Sequence, residues 1–335
     1  MVALTEWGAE AAVPVGDGSG ALRGRGWLMA YSEAFFPTHQ AELDMALKNP
    51  ARHLRELLAR PQMLIAPGAY DCITARMIEQ AGFDAVYMTG AGTAATLGYP
   101  DYGLTTMTEM AGNAGRIADA VGVPVFADAD TGFGNELNMT RTVREYERRG
   151  VAGMHIEDQT FPKKCGHLEN KTVIDRAAFV NKIRAAAGAR ESADFLIIAR
   201  TDSRASLGLD EAIARVNDAL DAGADMAFVE AAQNLDEVAD IPRRVHGPCL
   251  LNLVWKGKTP DVPFADAEAM GYRIAILPGM LFKAVMATCD RMLEETRRLG
   301  RHASPGLELT PQQSFNRVGA TEWDEVSRRY KVSRG

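Results

Sequence analysis

Cysteine is scarce in this chain. Cys72, Cys165, Cys249 and Cys289 are the only four in 335 residues. They are too few and too widely spaced for a disulfide framework, so a reducing cytoplasm is the expected setting. Long apolar runs are also missing, and none reaches the length that spans a bilayer. The opening "MVALTEWGAEAAVPVGDGSG" has no basic region followed by an apolar core, so no secretory signal is expected. Nor is there an excess of base. Lys and Arg number 37 against 44 Asp and Glu, a net charge of −7, which argues against nucleic acid as a partner. What remains is a chain 47% hydrophobic and 24% charged, the balance of an ordinary soluble globular protein.

Residues 1–50 read as an N-terminal extension. A glycine-rich stretch from Gly16 to Gly26 leads into "GWLMAYSEAFFPTHQ". Its aromatics fit docking onto another surface, and the stretch equally fits an extension without fixed structure. From residue 62 a rhythm begins. Short apolar runs recur at 63–68, 85–90, 123–130, 152–158, 195–201, 226–231, 249–254 and 273–279. Each is near-continuous rather than alternating, as strands buried on both faces are. Segments of helical period lie between them. "LDEAIARVNDALDAGAD" puts Ile213, Val216 and Leu220 on one face and stops at Gly223. "GMLFKAVMATCDRMLEETRR" puts Leu281, Val285, Cys289 and Met292 on one stripe. Eight strand–helix units predict a (β/α)₈ barrel over residues 51–300, with a helical tail at 301–335. A doubly wound sheet is the alternative, and the count of eight favours the barrel.

In such a barrel the active site lies at the C-terminal strand ends. The second run ends in Thr89-Gly90-Ala91, the third in Asp128-Ala129-Asp130, and the fourth in His155, Glu157 and Asp158. The fifth ends in Arg200, Thr201 and Asp202, the sixth in Glu230, and the seventh carries Asn252. Core packing does not explain so many charges at buried ends, because isolated charges are costly to desolvate. Asp128 and Asp130 stand two apart, so on one strand both face the same way. With Glu157 and Glu230 nearby they form a hard oxygen donor set suited to Mg²⁺ or Mn²⁺. The bland reading is that the two aspartates cap the next loop. "GAGTAA" (90–95) loosely matches a dinucleotide fingerprint, but it belongs to the second unit of a barrel. Its glycines better serve backbone N–H groups that approach a carboxylate or phosphate.

"DQTFPKKCGHLENK" (158–171) follows the fourth run and so hangs over the same rim. Neighbouring cations lower a thiol pKa and burial raises it, and a thiol there can protonate a carbanion. Gly166 permits backbone contact with a ligand. Cys72, Cys249 and Cys289 read as small apolar fillers.

The motifs "PGAYD", "YMTGAGTAATLGYPD", "DADTGFGN", "HIEDQ", "KKCGH", "ARTD", "FVEA" and "LNLVWKGKTP" together resemble the isocitrate lyase/phosphoenolpyruvate mutase superfamily over residues 55–300. The loop "KKCGHLENK" most resembles its methylisocitrate lyase, dimethylmalate lyase and carboxyphosphonoenolpyruvate mutase branches. The resemblance implies a barrel with a terminal helix swapped between subunits of a tetramer. It implies Mg²⁺ at Asp128, with Asp130 and Glu157 acting through water and Asp101 near the metal. Thr89, Gly90 and Ala91 would hold a substrate carboxylate, Arg200 would offset negative charge, and Cys165 would be the acid. Tyr87 and His167 would support them, with Glu230 and Asn252 at the substrate. Two departures bear on the substrate's far half. Trp255 stands where the family has Glu, and Lys283 where its methylisocitrate lyases have Arg. Trp255 either lines the pocket with an apolar face or turns outward beneath "KGKTP". The expected function is a Mg²⁺-dependent C–C lyase of a substituted malate or methylisocitrate. The alternatives are a phosphonate P–C enzyme and a barrel that binds a dicarboxylate without turning it over.

Overall fold

A computed structural model describes residues 49–331. The N-terminal extension, aromatics included, lies outside the described residues apart from its last two. All eight apolar runs are strands: β1 Leu64–Ala69, β2 Val86–Met88, β3 Val125–Asp128, β4 Gly153–Glu157, β5 Leu196–Thr201, β6 Met226–Val229, β7 Cys249–Asn252 and β8 Tyr272–Leu277. They pair in sequence order, all parallel, and β8 closes on β1. The doubly wound alternative is thereby discarded.

Strand alternation sorts the side chains into two layers. Val125, Ala127, Met154, Ile156, Ile197 and Ala199 point outward and pack under the surrounding helices. Tyr87, Phe126, Ile198, Met226, Phe228 and Leu250 point inward and fill the barrel. The helix Pro50–Ala59, capped by Asn49, adds Leu54 and Leu57 to that interior cluster. One inward step above this filling, the residue type changes. Asp128 follows Phe126, Arg200 follows Ile198, Glu230 follows Phe228 and Asn252 follows Leu250. The same alternation that fills the barrel therefore lines its mouth with polar groups.

The helix Met280–Leu299 carries the anticipated apolar stripe, yet none of its residues is fully buried among the described residues. Leu293 and Met286 are exposed. No helix among the described residues is long and apolar enough to cross a membrane.

The inward layer generates a stability prediction. Phe126 is fully buried directly beneath Asp128. Phe126→Ala should cost about 3–5 kcal/mol through lost transfer energy and an unfilled cavity. Chemical denaturation would read this, and a loss below about 1 kcal/mol would contradict the packing described.

Candidate active site

Register sets the first contacts at the mouth. Asp128 pairs with His155 and Glu157 with Arg200 across adjacent strands. Asp128 Oδ1 accepts the Asp130 N–H at 2.9 Å and lies 3.5 Å from His155 Nε2. Tyr87 Oη and His155 Nε2 are 2.8 Å apart. Burial drives the His155 pKa down to about 4, so the ring is neutral near pH 7. Burial alone would raise the Asp128 carboxyl, but His155 where it is protonated, then Lys163 and Arg200, outweigh burial and lower it to about 2; the two permanent cations remain beside it at neutral pH. Gly90 makes room for this carboxylate, since a Cβ there would lie 2.4 Å from Asp128 Oδ2. The first-turn N–H groups of Gly90 and Ala91, behind the Thr89 cap, have no intrahelical acceptor and face this same end of the barrel.

Asp130 departs from the sequence expectation. β3 ends at Asp128, and Asp130 sits in the turn beyond it with φ 46°. Strand alternation therefore does not set its direction. Lys163 does, with Nζ 2.8 Å from Asp130 and 2.7 Å from Asp101. Left-handed backbone at a non-glycine residue is strained and is held here by its surroundings.

Arg200 is shared by three carboxylates. Its guanidinium lies 3.2 Å from Glu157, 2.9 Å from Asp202 and 3.5 Å from Glu230, and 5.1 Å over the Phe228 ring. Glu230 also meets His167 Nε2 at 3.0 Å and Asn252 at 3.1 Å. Burial opposes ionisation of Glu230, but Arg200 and His167 overcome it and hold the carboxyl below the ordinary range. Glu157 goes the other way. Burial raises it well above the carboxylate range despite Arg200 and Lys163, and neither of its oxygens makes a hydrogen bond among the described residues.

The loop after β4 is folded over this mouth. Cys165 N–H donates to Asp101 O at 3.0 Å, and the Gln159 side chain brackets Lys164 at 2.7 and 3.0 Å. A Cβ at Gly166 would come within 2.5 Å of both Arg200 and Glu230. Glycine is thus what lets the loop press onto the rim. His167 Nδ1 accepts the Lys258 N–H at 3.0 Å. Nε2 must then carry the proton of a neutral ring and donate it to Glu230. Cys165 is half-buried, and burial followed by Asp101 pushes its thiol above the ordinary range. Of the two opposed effects weighed for this thiol, burial prevails.

The structure does not bring Trp255 or Lys283 into the buried cluster. Trp255 is 67% exposed, and Lys283 Nζ donates to its carbonyl at 2.5 Å. Lys163 and Lys171 have no assigned role in the sequence pattern although both are buried at the mouth, beside the Asp202 that ends the fifth run. The usable signal was charge balance: a rim so rich in carboxylates needs cations, and the loop carries them.

That balance also tests a metal. Among the described residues, Asp101, Asp128, Asp130, Glu157, Asp202 and Glu230 face only Arg200, Lys163 and Lys171 as permanent cations. The unbonded oxygens of Glu157 and the surplus of hard donors fit a small divalent cation. No three His, Cys, Asp or Glu donors close on one point among the described residues.

The family model described as phosphoenolpyruvate phosphomutase matches residues 54–297. A 2,3-dimethylmalate lyase of Eubacterium barkeri is 48% identical over 244 residues, covering 72% of this chain and 84% of that protein. A 2-methylisocitrate lyase of Aeropyrum pernix is 43% identical over 84% of this chain and 93% of its own. Among solved structures, oxaloacetate acetylhydrolase in complex with 3,3-difluorooxalacetate superposes with a TM-score of 0.82 at 37% identity, covering 86% of this chain and 99% of that one. Phosphonopyruvate hydrolase, in complex with oxalate and Mg²⁺, superposes with a TM-score of 0.77 at 28% identity, covering 84% and 99%.

The donor set predicts metal-linked stability. Mg²⁺ at about a hundred times its Kd should stabilise the protein by about 2.7 kcal/mol. Asp128→Ala should erase that gain and leave a folded protein. A scanning fluorimetry shift that survives the substitution would remove Asp128 from the metal site.

Proposed function

This chain belongs to the phosphoenolpyruvate mutase/isocitrate lyase superfamily, and from that premise we propose that it is a Mg²⁺-dependent lyase. It cleaves the C–C bond of a 2-hydroxy dicarboxylate or tricarboxylate, of substituted-malate or methylisocitrate type, and releases a 2-oxo acid. The observation that carries this reading is the Cys165 thiol, held protonated on a loop that is pinned over Arg200 and the carboxylate-lined mouth. Gly90 and Ala91 present backbone N–H donors, and Thr89 its hydroxyl, to the carboxylate of the forming 2-oxo acid, since the Thr89 N–H is taken by Ala69 O. Asn252, Glu230 and His167 border the remainder of the substrate.

The bond changes balance with these groups. The hydroxyl proton passes to the carboxylates of the mouth, and the O–H electron pair becomes the new C=O. The C2–C3 bond breaks, and its electrons stay on C3 as an enediolate of the neighbouring carboxylate. Arg200 offsets that charge in a dry site, where a fixed cation acts most strongly. Cys165 Sγ–H then protonates C3. Asp128 would hold Mg²⁺, with Asp130 and Glu157 reaching it through water, and the ion would polarise the oxygens of the 2-oxo acid. A phosphonate P–C reading uses the same mouth. A phosphoryl shift, however, needs no proton donor at carbon, so Cys165 favours the lyase. The stripe on Met280–Leu299, with no fully buried residue within one chain, supports a homotetramer as the family resemblance implies.

Cys165→Ser should lower kcat by roughly 10²–10⁴-fold with KM little changed, because a hydroxyl is a much weaker acid. The assay is 2-oxo acid release from substituted malates and 2-methylisocitrate with Mg²⁺. Normal turnover by the serine variant would remove Cys165 as the donor, and no product from any acid would sink the lyase reading.

The pH profile carries a sign. The acid must be protonated, and its folded pKa lies above the ordinary thiol range. Activity should therefore persist through neutral pH and fall only as pH rises through that raised value. The serine variant should lack this alkaline limb. In sedimentation at micromolar concentration the protein should run as an oligomer, and a monomer would count against the covered stripe.

A further inference from the structure

Lys171 lies six residues beyond Cys165 in the same loop, and the reaction described above gives it no task. Its side chain is almost fully buried, at 1% exposure. A buried ammonium is expensive to desolvate and persists only where it is fully engaged. Its partners lie on both sides of the loop–barrel contact. Nζ donates to Asp202 Oδ1 at 2.6 Å and to the carbonyl of Gly166. Gly166 directly follows Cys165. Asp202 is a fully buried residue that also receives Arg200 Nε at 2.9 Å, and its own N–H donates to Asp158 Oδ1 at 2.8 Å. Asp202 is thus fixed from below by the barrel, and it orients Arg200 and Lys171 together.

The geometry points to Lys171 as the positioning residue of the active site. It clasps the closed loop by the Gly166 carbonyl and ties that closed state, through the shared Asp202, to the working orientation of Arg200. The inference rests on the lyase reading for its catalytic consequence, but the clasp itself can be tested without substrate. Three features distinguish the clasp from a lysine that only fills space. It spans the loop and the barrel rather than two points on the barrel. It holds the residue adjacent to the acid. It shares its carboxylate with the group that stabilises the developing charge. When the loop lifts, Lys171 must leave Asp202, and Arg200 loses the partner that shares its carboxylate.

The test uses the chain's own thiols as reporters. Wild type and Lys171→Met are treated with iodoacetamide, and alkylation of each cysteine is followed by peptide mass spectrometry. Lys171→Met should speed modification of Cys165 by roughly tenfold or more, the scale set by removing a charge-assisted hydrogen bond. Cys72 and Cys289 should keep their rates. kcat should fall by a similar factor, with a smaller change in KM. Lys171→Arg, which keeps a charged donor, should restore most of the protection. An unchanged Cys165 rate would overturn the clasp. So would equal acceleration at all three cysteines, which would mark general loosening, or faster Cys165 modification with undiminished kcat. Should Lys171→Met fail to fold, Lys171→Gln carries the same comparison. If wild type cleaves no acid in the panel, the function reading fails, while the alkylation result still judges the clasp.

Discussion

Arg200 is the charge on which the mouth of this barrel depends. Three buried carboxylates, Glu157, Asp202 and Glu230, crowd its guanidinium. Without it, Asp202 would keep Lys171 and Glu230 would keep His167, in a medium that solvates charge poorly and where an uncompensated ion costs several kcal/mol. The geometry is possible because guanidinium is planar and offers five donors in fixed directions. A lysine would supply a point charge and could not lie against three carboxylates in this spread. The flat face left over rests on Phe228, so the cation also packs against the apolar filling below it.

The mouth is assembled from two sources that differ in stiffness. The carboxylates come from strand ends whose positions the barrel fixes. Two of the three compensating cations, Lys163 and Lys171, come from the loop. Charge compensation at the site is thus conditional on loop position. The relatives with solved structures include enzymes named for acting on oxaloacetate and on phosphonopyruvate. A common rim with a replaceable loop is a physical arrangement under which such different bonds can be handled by one architecture.

Much of this was legible in the chain itself, for reasons that can be named. Parallel strands buried on both faces must be apolar along their length, so the eight runs stood out. Polar residues at their ends had no packing explanation, so Asp128, Glu157, Arg200, Glu230 and Asn252 stood out with them. Asp130 was misjudged because alternation was carried past the end of a strand. A left-handed turn at φ 46° leaves no mark in a run of "DADTG". Lys163 and Lys171 were passed over because lysine is ordinarily a solvated surface residue. Their burial follows from which carboxylates the fold sets opposite them, a tertiary fact. For Trp255 the sequence leaves a pocket wall and an outward turn both open, and the structure gives the side chain 67% exposure.

The change from apolar to polar one inward step along each strand has a consequence for how such a sequence diverges. Below the step, neighbours constrain one another by volume, and a substitution must be answered by another of matching size. Above it, they constrain one another by charge, and the compensating change can arise on a different segment of chain. The two kinds of covariation should therefore separate along a single strand, within the span between Phe126 and Asp128 or between Ile198 and Arg200. Selection for a new substrate acts on the upper set alone. Because the lower set holds the barrel closed, the chemistry can drift far before the fold registers it.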